Sequence, residues 1–221
     1  MEPSVPKIKF CGITDPADAD AAIAAGAWAL GVILWPGSRR RCRPQVAAEI
    51  AAVHRRHAQI VGVFVNPTLE QVTRAADEIG LSMLQLHGDE GPAFCGEAAR
   101  RTGSRVIKAA RVRSRADIQA LSAFHTDFHL LDSYAHGLPG GTGETFAWEL
   151  ARAHSESVPV ILSGGLTPSN VSGAIAAVRP YAVDVASGVE VTPGRKDHDK
   201  LRAFSAAVAA SAMTLARTAQ G

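Results

Sequence analysis

The chain has 221 residues, 47% apolar and 20% charged, enough to bury one sizeable core, so a single domain over residues 1–221 is expected. Its 23 Lys and Arg against 21 Asp and Glu leave a formal charge of +2, which is no electrostatic footprint for nucleic acid or an anionic membrane. The apolar runs fall well short of the roughly 20 residues that span a bilayer. The start, Met1-Glu2-Pro3-Ser4-Val5-Pro6, lacks the pattern of a signal peptide, so a cytoplasmic location is expected.

In chain order the pattern repeats: a short β-rich apolar run, a glycine or polar turn, then a longer alanine-rich amphipathic stretch. Strands are expected over 7–12, 28–34, 60–65, 83–87, 105–110, 128–132, 159–163 and 182–186. Helices are expected over 16–25, 44–57, 68–79, 90–101, 114–122, 144–153, 168–177 and 197–216. Runs such as Ile60-Val61-Gly62-Val63-Phe64-Val65 are apolar throughout, as in parallel strands covered on both faces. Eight βα units of about 28 residues each fit a closed (β/α)8 TIM barrel. An open doubly wound sheet is disfavoured, because the first turn is Cys11-Gly12-Ile13-Thr14 rather than a Gly-x-Gly-x-x-Gly loop.

In such a barrel, chemistry is expected at the carboxyl ends of the strands. The first strand delivers Cys11, followed by Gly12 and a helix start at Thr14-Asp15-Pro16, so its thiol is expected to be displayed rather than buried. The structural alternative is an inert buried cysteine. Cys42 and Cys95 complete an odd set with no C-x-x-C pair, which argues against a disulfide framework or structural metal. The second strand leads into Pro36-Gly37-Ser38-Arg39-Arg40-Arg41; most of this run reads as solvated, but one guanidinium suits a substrate carboxylate. His87, after strand four, is a candidate base or a structural hydrogen-bonding residue.

Asp132 closes the sixth strand, where it serves either as a proton donor or as a turn cap. It is expected across the mouth from Cys11. Three glycine loops gather near the last strands: Gly141 and Gly143, then Gly164 and Gly165, then Ser187 and Gly188. Backbone N–H groups approach an oxyanion closely at glycine, so these loops suit a phosphate group. Read singly, each is an ordinary tight turn.

Taken together, the motifs resemble the phosphoribosylanthranilate isomerase family. The resemblance rests on Lys7-Ile8-Lys9-Phe10-Cys11-Gly12, Leu84-Gln85-Leu86-His87-Gly88, Leu130-Leu131-Asp132-Ser133, Gly140-Gly141-Thr142-Gly143, Leu162-Ser163-Gly164-Gly165 and Val183-Asp184-Val185-Ala186-Ser187-Gly188. It implies an acid–base Amadori rearrangement in tryptophan biosynthesis, on a small phosphorylated substrate and with no cofactor or metal. In that scheme Asp132 protonates the ring oxygen and Cys11 removes the C2′ proton. Arg40 matches the arginine that binds the anthranilate carboxylate, although Arg39 stands where the family pattern has proline, which leaves Arg39 and Arg41 as alternatives. The phosphate group falls to Gly141, Gly143, Gly164, Gly165, Ser187 and Gly188.

Two rival readings remain. One is another phosphate-binding barrel enzyme working through a lysine, for which Lys108 is the candidate. The other is a barrel that binds a phosphorylated metabolite without turnover. The sequence leaves the oligomeric state, monomer or homodimer, and the activation of Cys11 open.

Overall fold

The protein is described by a computed structural model over residues 5–132, 148, 150–154 and 157–218. Eight strands form one closed barrel: β1 (Lys7–Cys11), β2 (Ala29–Ile33), β3 (Gln59–Phe64), β4 (Met83–Leu86), β5 (Arg105–Arg111), β6 (Phe128–Asp132), β7 (Val160–Ser163) and β8 (Ala182–Val185). Neighbours pair in parallel in chain order, and β8 returns to β1 with Lys9 opposite Asp184. The expected (β/α)8 barrel is therefore the observed one.

The strand residues sort by parity because successive side chains leave opposite faces. Phe10, Leu30, Leu84, Leu131 and Val183 point outward and are buried under the helices. Val61, Met83, Ile107, Leu130, Ile161 and Ala182 point inward and fill the barrel. A fully buried side chain such as Phe10 or Leu30 contributes about 1.5–3 kcal/mol. Runs covered on both faces read as continuous apolar segments for this reason.

Local chemistry sets the element ends. The Asp15 side chain accepts the Ala17 N–H at 2.8 Å and Pro16 takes the first helical position, starting the helix Pro16–Ala24. Thr68 and Gln71 form a reciprocal capping box at the start of Leu69–Ile79. The expected helix from 168 begins instead at Val171, because the Asn170 side chain accepts the Thr167 N–H at 2.8 Å and holds that stretch as a turn. Of the expected helix over 144–153, Trp148, Leu150 and Ala151 are helical and the other positions before 150 lie outside the described residues. Beyond β8, a short antiparallel ribbon, β9 (Glu190–Thr192) and β10 (Arg195–Lys196), was not expected from the sequence.

The amino end of the barrel is closed by aromatic rings. Trp28 meets Phe128 and Tyr181 edge-on, at 5.7 and 5.6 Å between centroids, and the Lys7 ammonium lies 5.0 Å from the Tyr181 ring centre. The carboxyl end carries polar groups instead. Among the described residues, no helix is long and apolar enough to cross a membrane.

Candidate active site

Cys11 is the last residue of β1 and shares the inward parity of Lys9. The chain turns directly after it, because Gly12 adopts φ +77° and its N–H donates to the Gly31 carbonyl at 2.9 Å rather than extending the strand. A side chain at residue 12 would be strained in that backbone and would also stand 2.9 Å from Arg40 Cδ. The sequence expectation of a displayed thiol is corrected here: Cys11 is only 5% exposed. The barrel wall and the groups around it enclose the sulfur, an effect of tertiary packing that a strand-end position does not reveal.

Those groups are mostly charged. Lys9 is fully buried, and its Nζ donates to Asp184 Oδ1 at 2.8 Å; Asp184 Oδ2 in turn accepts from Ser163 Oγ at 3.1 Å. Lys196, on β10, reaches back to donate to the Cys11 carbonyl at 2.6 Å, the Ala186 carbonyl at 3.2 Å and Glu190 Oε1 at 3.0 Å. Burial pushes the Cys11 thiol above its ordinary value, with the Lys9 ammonium opposing, Asp184 reinforcing and Lys196 opposing. Burial pulls Lys9 down, but the Asp184 carboxylate and the Cys11 sulfur outweigh it and leave that ammonium raised.

Arg40 lies beside this cluster. Its Nε donates to both Glu190 oxygens at 2.9 Å and its Nη2 lies 2.8 Å from Oε2, so Glu190 occupies one edge of the guanidinium. Nη1 and its two N–H groups remain for a further acceptor. Burial acts to raise Glu190, but Arg40 and Lys196 outweigh it and hold the carboxyl below its ordinary value. One carboxylate between two cations leaves a net positive site suited to an anion. Arg39 and Arg41 are exposed, whereas Arg40 is half-buried, so the tertiary structure distinguishes Arg40 within the run. The turn holds its shape without proline: Ser38 Oγ accepts the Arg40 N–H at 3.0 Å and the Ser38 carbonyl accepts the Arg41 N–H at 3.2 Å.

On the facing arc, Asp132 ends β6 with the inward parity of Leu130. In the barrel order two strands, β7 and β8, separate β6 from β1 on one side and four on the other. Both side chains therefore enter the same mouth from different arcs of the ring. His87 Nε2 lies 3.6 Å from Asp132 Oδ2. Gln85 Nε2 donates to His87 Nδ1 at 3.0 Å, so in the neutral ring the proton sits on the nitrogen facing Asp132.

The loops after β7 and β8 are adjacent. Gly164 and Gly165 take φ +101° and +62°. The Asn170 amide holds their turn by donating to the Gly165 carbonyl at 3.0 Å. Ser187 and Gly188 lie in the short 3-10 turn Ser187–Val189, and a side chain at 188 would collide with the Leu166 carbonyl. The two loops thus pack backbone against backbone. Gly141 and Gly143 lie outside the described residues.

Comparison with known proteins identifies the family. The family model for N-(5′-phosphoribosyl)anthranilate isomerase matches residues 8–207. The chain belongs to the phosphoribosylanthranilate isomerase family. It is 48% identical over 200 residues to the N-(5′-phosphoribosyl)anthranilate isomerase of Geobacter sp. (strain M21), covering 90% of this chain and 96% of that one. The crystal structure of the Thermotoga maritima isomerase superposes with a TM-score of 0.83 at 38% identity, over 93% and 99% of the two chains. A further isomerase structure, solved with reduced 1-(o-carboxyphenylamino)-1-deoxyribulose 5-phosphate, gives a TM-score of 0.79 at 36% identity over 93% and 99%.

Within a phosphoribosylanthranilate isomerase frame, Lys108 is not placed for covalent chemistry. It leaves β5 with outward parity and donates to Glu90 Oε2 at 2.9 Å and the Gly88 carbonyl at 2.7 Å, while Glu90 accepts the N–H groups of Asn66 and Gly88. The group is a buried tie between loops. The lysines at the mouth are Lys9 and Lys196, which the sequence reading did not single out as site residues. The available signal was a lysine in a strand otherwise covered on both faces.

Cys42 and Cys95 are buried free thiols, and burial raises Cys42 to about 11. Among the described residues, no group of three or more His, Cys, Asp or Glu side chains is arranged to hold a metal ion.

Proposed function

We propose that the chain, acting as one barrel domain over residues 1–221, isomerises N-(5-phosphoribosyl)anthranilate to 1-(2-carboxyphenylamino)-1-deoxyribulose 5-phosphate, with Asp132 as acid and Cys11 as base. The observation that carries the assignment is the convergence of these two side chains on one mouth, from β6 and β1, beside an arginine and paired glycine loops.

Asp132 gives its proton to the furanose oxygen as the C1′–O bond breaks, and the anthranilate nitrogen lone pair forms the C1′=N bond. The Cys11 thiolate then takes the C2′ proton, and the freed bond pair flows toward the iminium to give the enolamine. Tautomerisation gives the ketone. The thiolate is a minority species in this buried site, but a raised pKa makes it a stronger base toward a carbon acid activated by the iminium.

The Arg40 guanidinium receives the anthranilate carboxylate through Nη1, with Glu190 fixing the opposite edge. The phosphate group binds at Gly164, Gly165, Ser187 and Gly188, with Gly141 and Gly143 contributing from the preceding loop. The protein works in the cytoplasm in the synthesis of tryptophan, as a monomer or homodimer. A direct assay with freshly made phosphoribosylanthranilate, following loss of its fluorescence, tests the activity. No turnover by folded protein would overturn it.

A further inference from the structure

We propose that Lys9 is the positioning residue for Cys11: its ammonium, fixed by Asp184 inside the barrel, orients the sulfur and balances the thiolate charge. The inference deepens the function above and rests on Cys11 being the base.

A fully buried lysine needs an account, because desolvating an ammonium costs several kcal/mol even after relaxation. The Asp184 pair offsets that cost but engages only one of three N–H groups, and the ammonium lies on the same inward face of β1 as the Cys11 sulfur, two residues on. The place where they meet is shaped for it. Gly31 pairs with Cys11 across β1 and β2, and a Cβ there would stand 2.8 Å from Cys11 Sγ and 3.1 Å from Lys9 Nζ. The missing side chain lets both groups occupy one space.

The charged groups around the thiol are Lys9 on β1, Asp184 on β8, Lys196 on β10, Glu190 on β9 and Arg40 after β2. Lys196 donates to two backbone carbonyls and Glu190, which accounts for all three of its N–H groups. Arg40 is tied to Glu190. Lys9 is therefore the cation beside the sulfur that keeps N–H groups beyond its carboxylate partner. Asp184, held in turn by Ser163, fixes Lys9 but opposes the thiolate by its charge. The two partners are thus expected to act on the thiol in opposite directions.

The test uses the full chain and two readings: the pH dependence of Cys11 alkylation by iodoacetamide, resolved by peptide mass, and the pH profile of kcat with phosphoribosylanthranilate. Lys9→Met is expected to move the alkylation midpoint and the rising limb of kcat to higher pH by at least about one unit. Turnover at neutral pH then falls about tenfold per unit, with KM nearly unchanged. Asp184→Asn is expected to move the midpoint to lower pH.

Because Lys9→Met leaves a buried carboxylate unpaired, the double variant Lys9→Met/Asp184→Asn keeps the test decisive if the single variant fails to fold. Its midpoint must lie above that of Asp184→Asn. Equal midpoints in that comparison, or a wild-type midpoint in folded Lys9→Met, would overturn the role of Lys9. Normal turnover in Cys11→Ala would instead overturn the base assignment, an outcome separate from any alkylation result.

Discussion

The two ends of this barrel are built from the same eight strands and solve opposite problems. At the amino end, Trp28 meets Phe128 and Tyr181 edge to face, and Lys7 and Arg105 lie over the rings, so cations are accommodated by aromatic faces. At the carboxyl end, Lys9, Asp184, Lys196, Glu190 and Arg40 form a chain of buried or half-buried charges, each matched to a partner. Aromatic closure gains stability from apolar area and geometry. A paired-charge cluster gains little net stability, because desolvation offsets most of the attraction. What it supplies is a fixed field around Cys11, the proposed base.

The contrast can be broken most sharply at the thiol. Cys11→Ala is expected to lower kcat by about 10²–10⁴-fold, the range for loss of a positioned acid or base, with the thermal unfolding curve nearly unmoved. A purified variant with near-normal turnover would show that the carboxyl end does not work through this residue. At the other end, Phe128→Ala should reverse the pattern. Removing a buried ring is expected to cost about 3–5 kcal/mol in urea unfolding while kcat per folded molecule stays within experimental scatter. Loss of kcat without loss of stability would contradict the division of labour between the ends.

A smaller effect is expected at the proposed carboxylate site. Glu190→Gln keeps the shape but removes the charge that fixes Arg40, so KM should rise roughly tenfold, as for loss of a charge-assisted hydrogen bond, with kcat falling less. Steady-state kinetics decides it, since an unchanged KM would mean that Arg40 does not hold the carboxylate.

The smallest effect lies outside the barrel interior. His129 is buried, its Nε2 donates to the Phe124 carbonyl at 3.0 Å and its Nδ1 accepts from His154 Nε2 at 2.7 Å. Burial, reinforced by His154 and opposed by the Phe124 carbonyl, lowers its pKa below the ordinary 6.5. Below 6.5 the unfolded chain takes up a proton that the folded one resists. The stability held by the neutral ring is therefore present above 6.5 and declines as the pH falls toward the lowered folded value. Urea midpoints measured across that window should slope downward with acid in the native chain and less steeply in His129→Gln. Equal slopes would exclude His129 as the cause.

Much of the candidate site was legible because its signals are local. Cys11 and Asp132 each end an apolar strand pattern, and Gly164, Gly165 and Gly188 mark turns where backbones come close. Arg40 was distinguished from Arg39 and Arg41 only by matching a family motif, whereas in the fold Glu190 selects it through contacts 150 residues away in sequence. The enclosure of the Cys11 thiol was misread for a related reason. Groups packed about Cys11, such as Lys196 of the β9–β10 ribbon at its carbonyl, are remote in sequence.

By itself the sequence determined the alternation of strands and helices, the parallel barrel and the residues delivered to its mouth, since these follow from apolar periodicity and turn chemistry within about ten residues. Only the tertiary structure decided which charges surround Cys11. The pairing of Lys9 with Asp184 and the reach of Lys196 to the Cys11 carbonyl join residues 175 and 185 positions apart, brought together where β8 closes on β1. Ring closure is a global event, and no local pattern specifies which buried cation will meet which anion once it is complete.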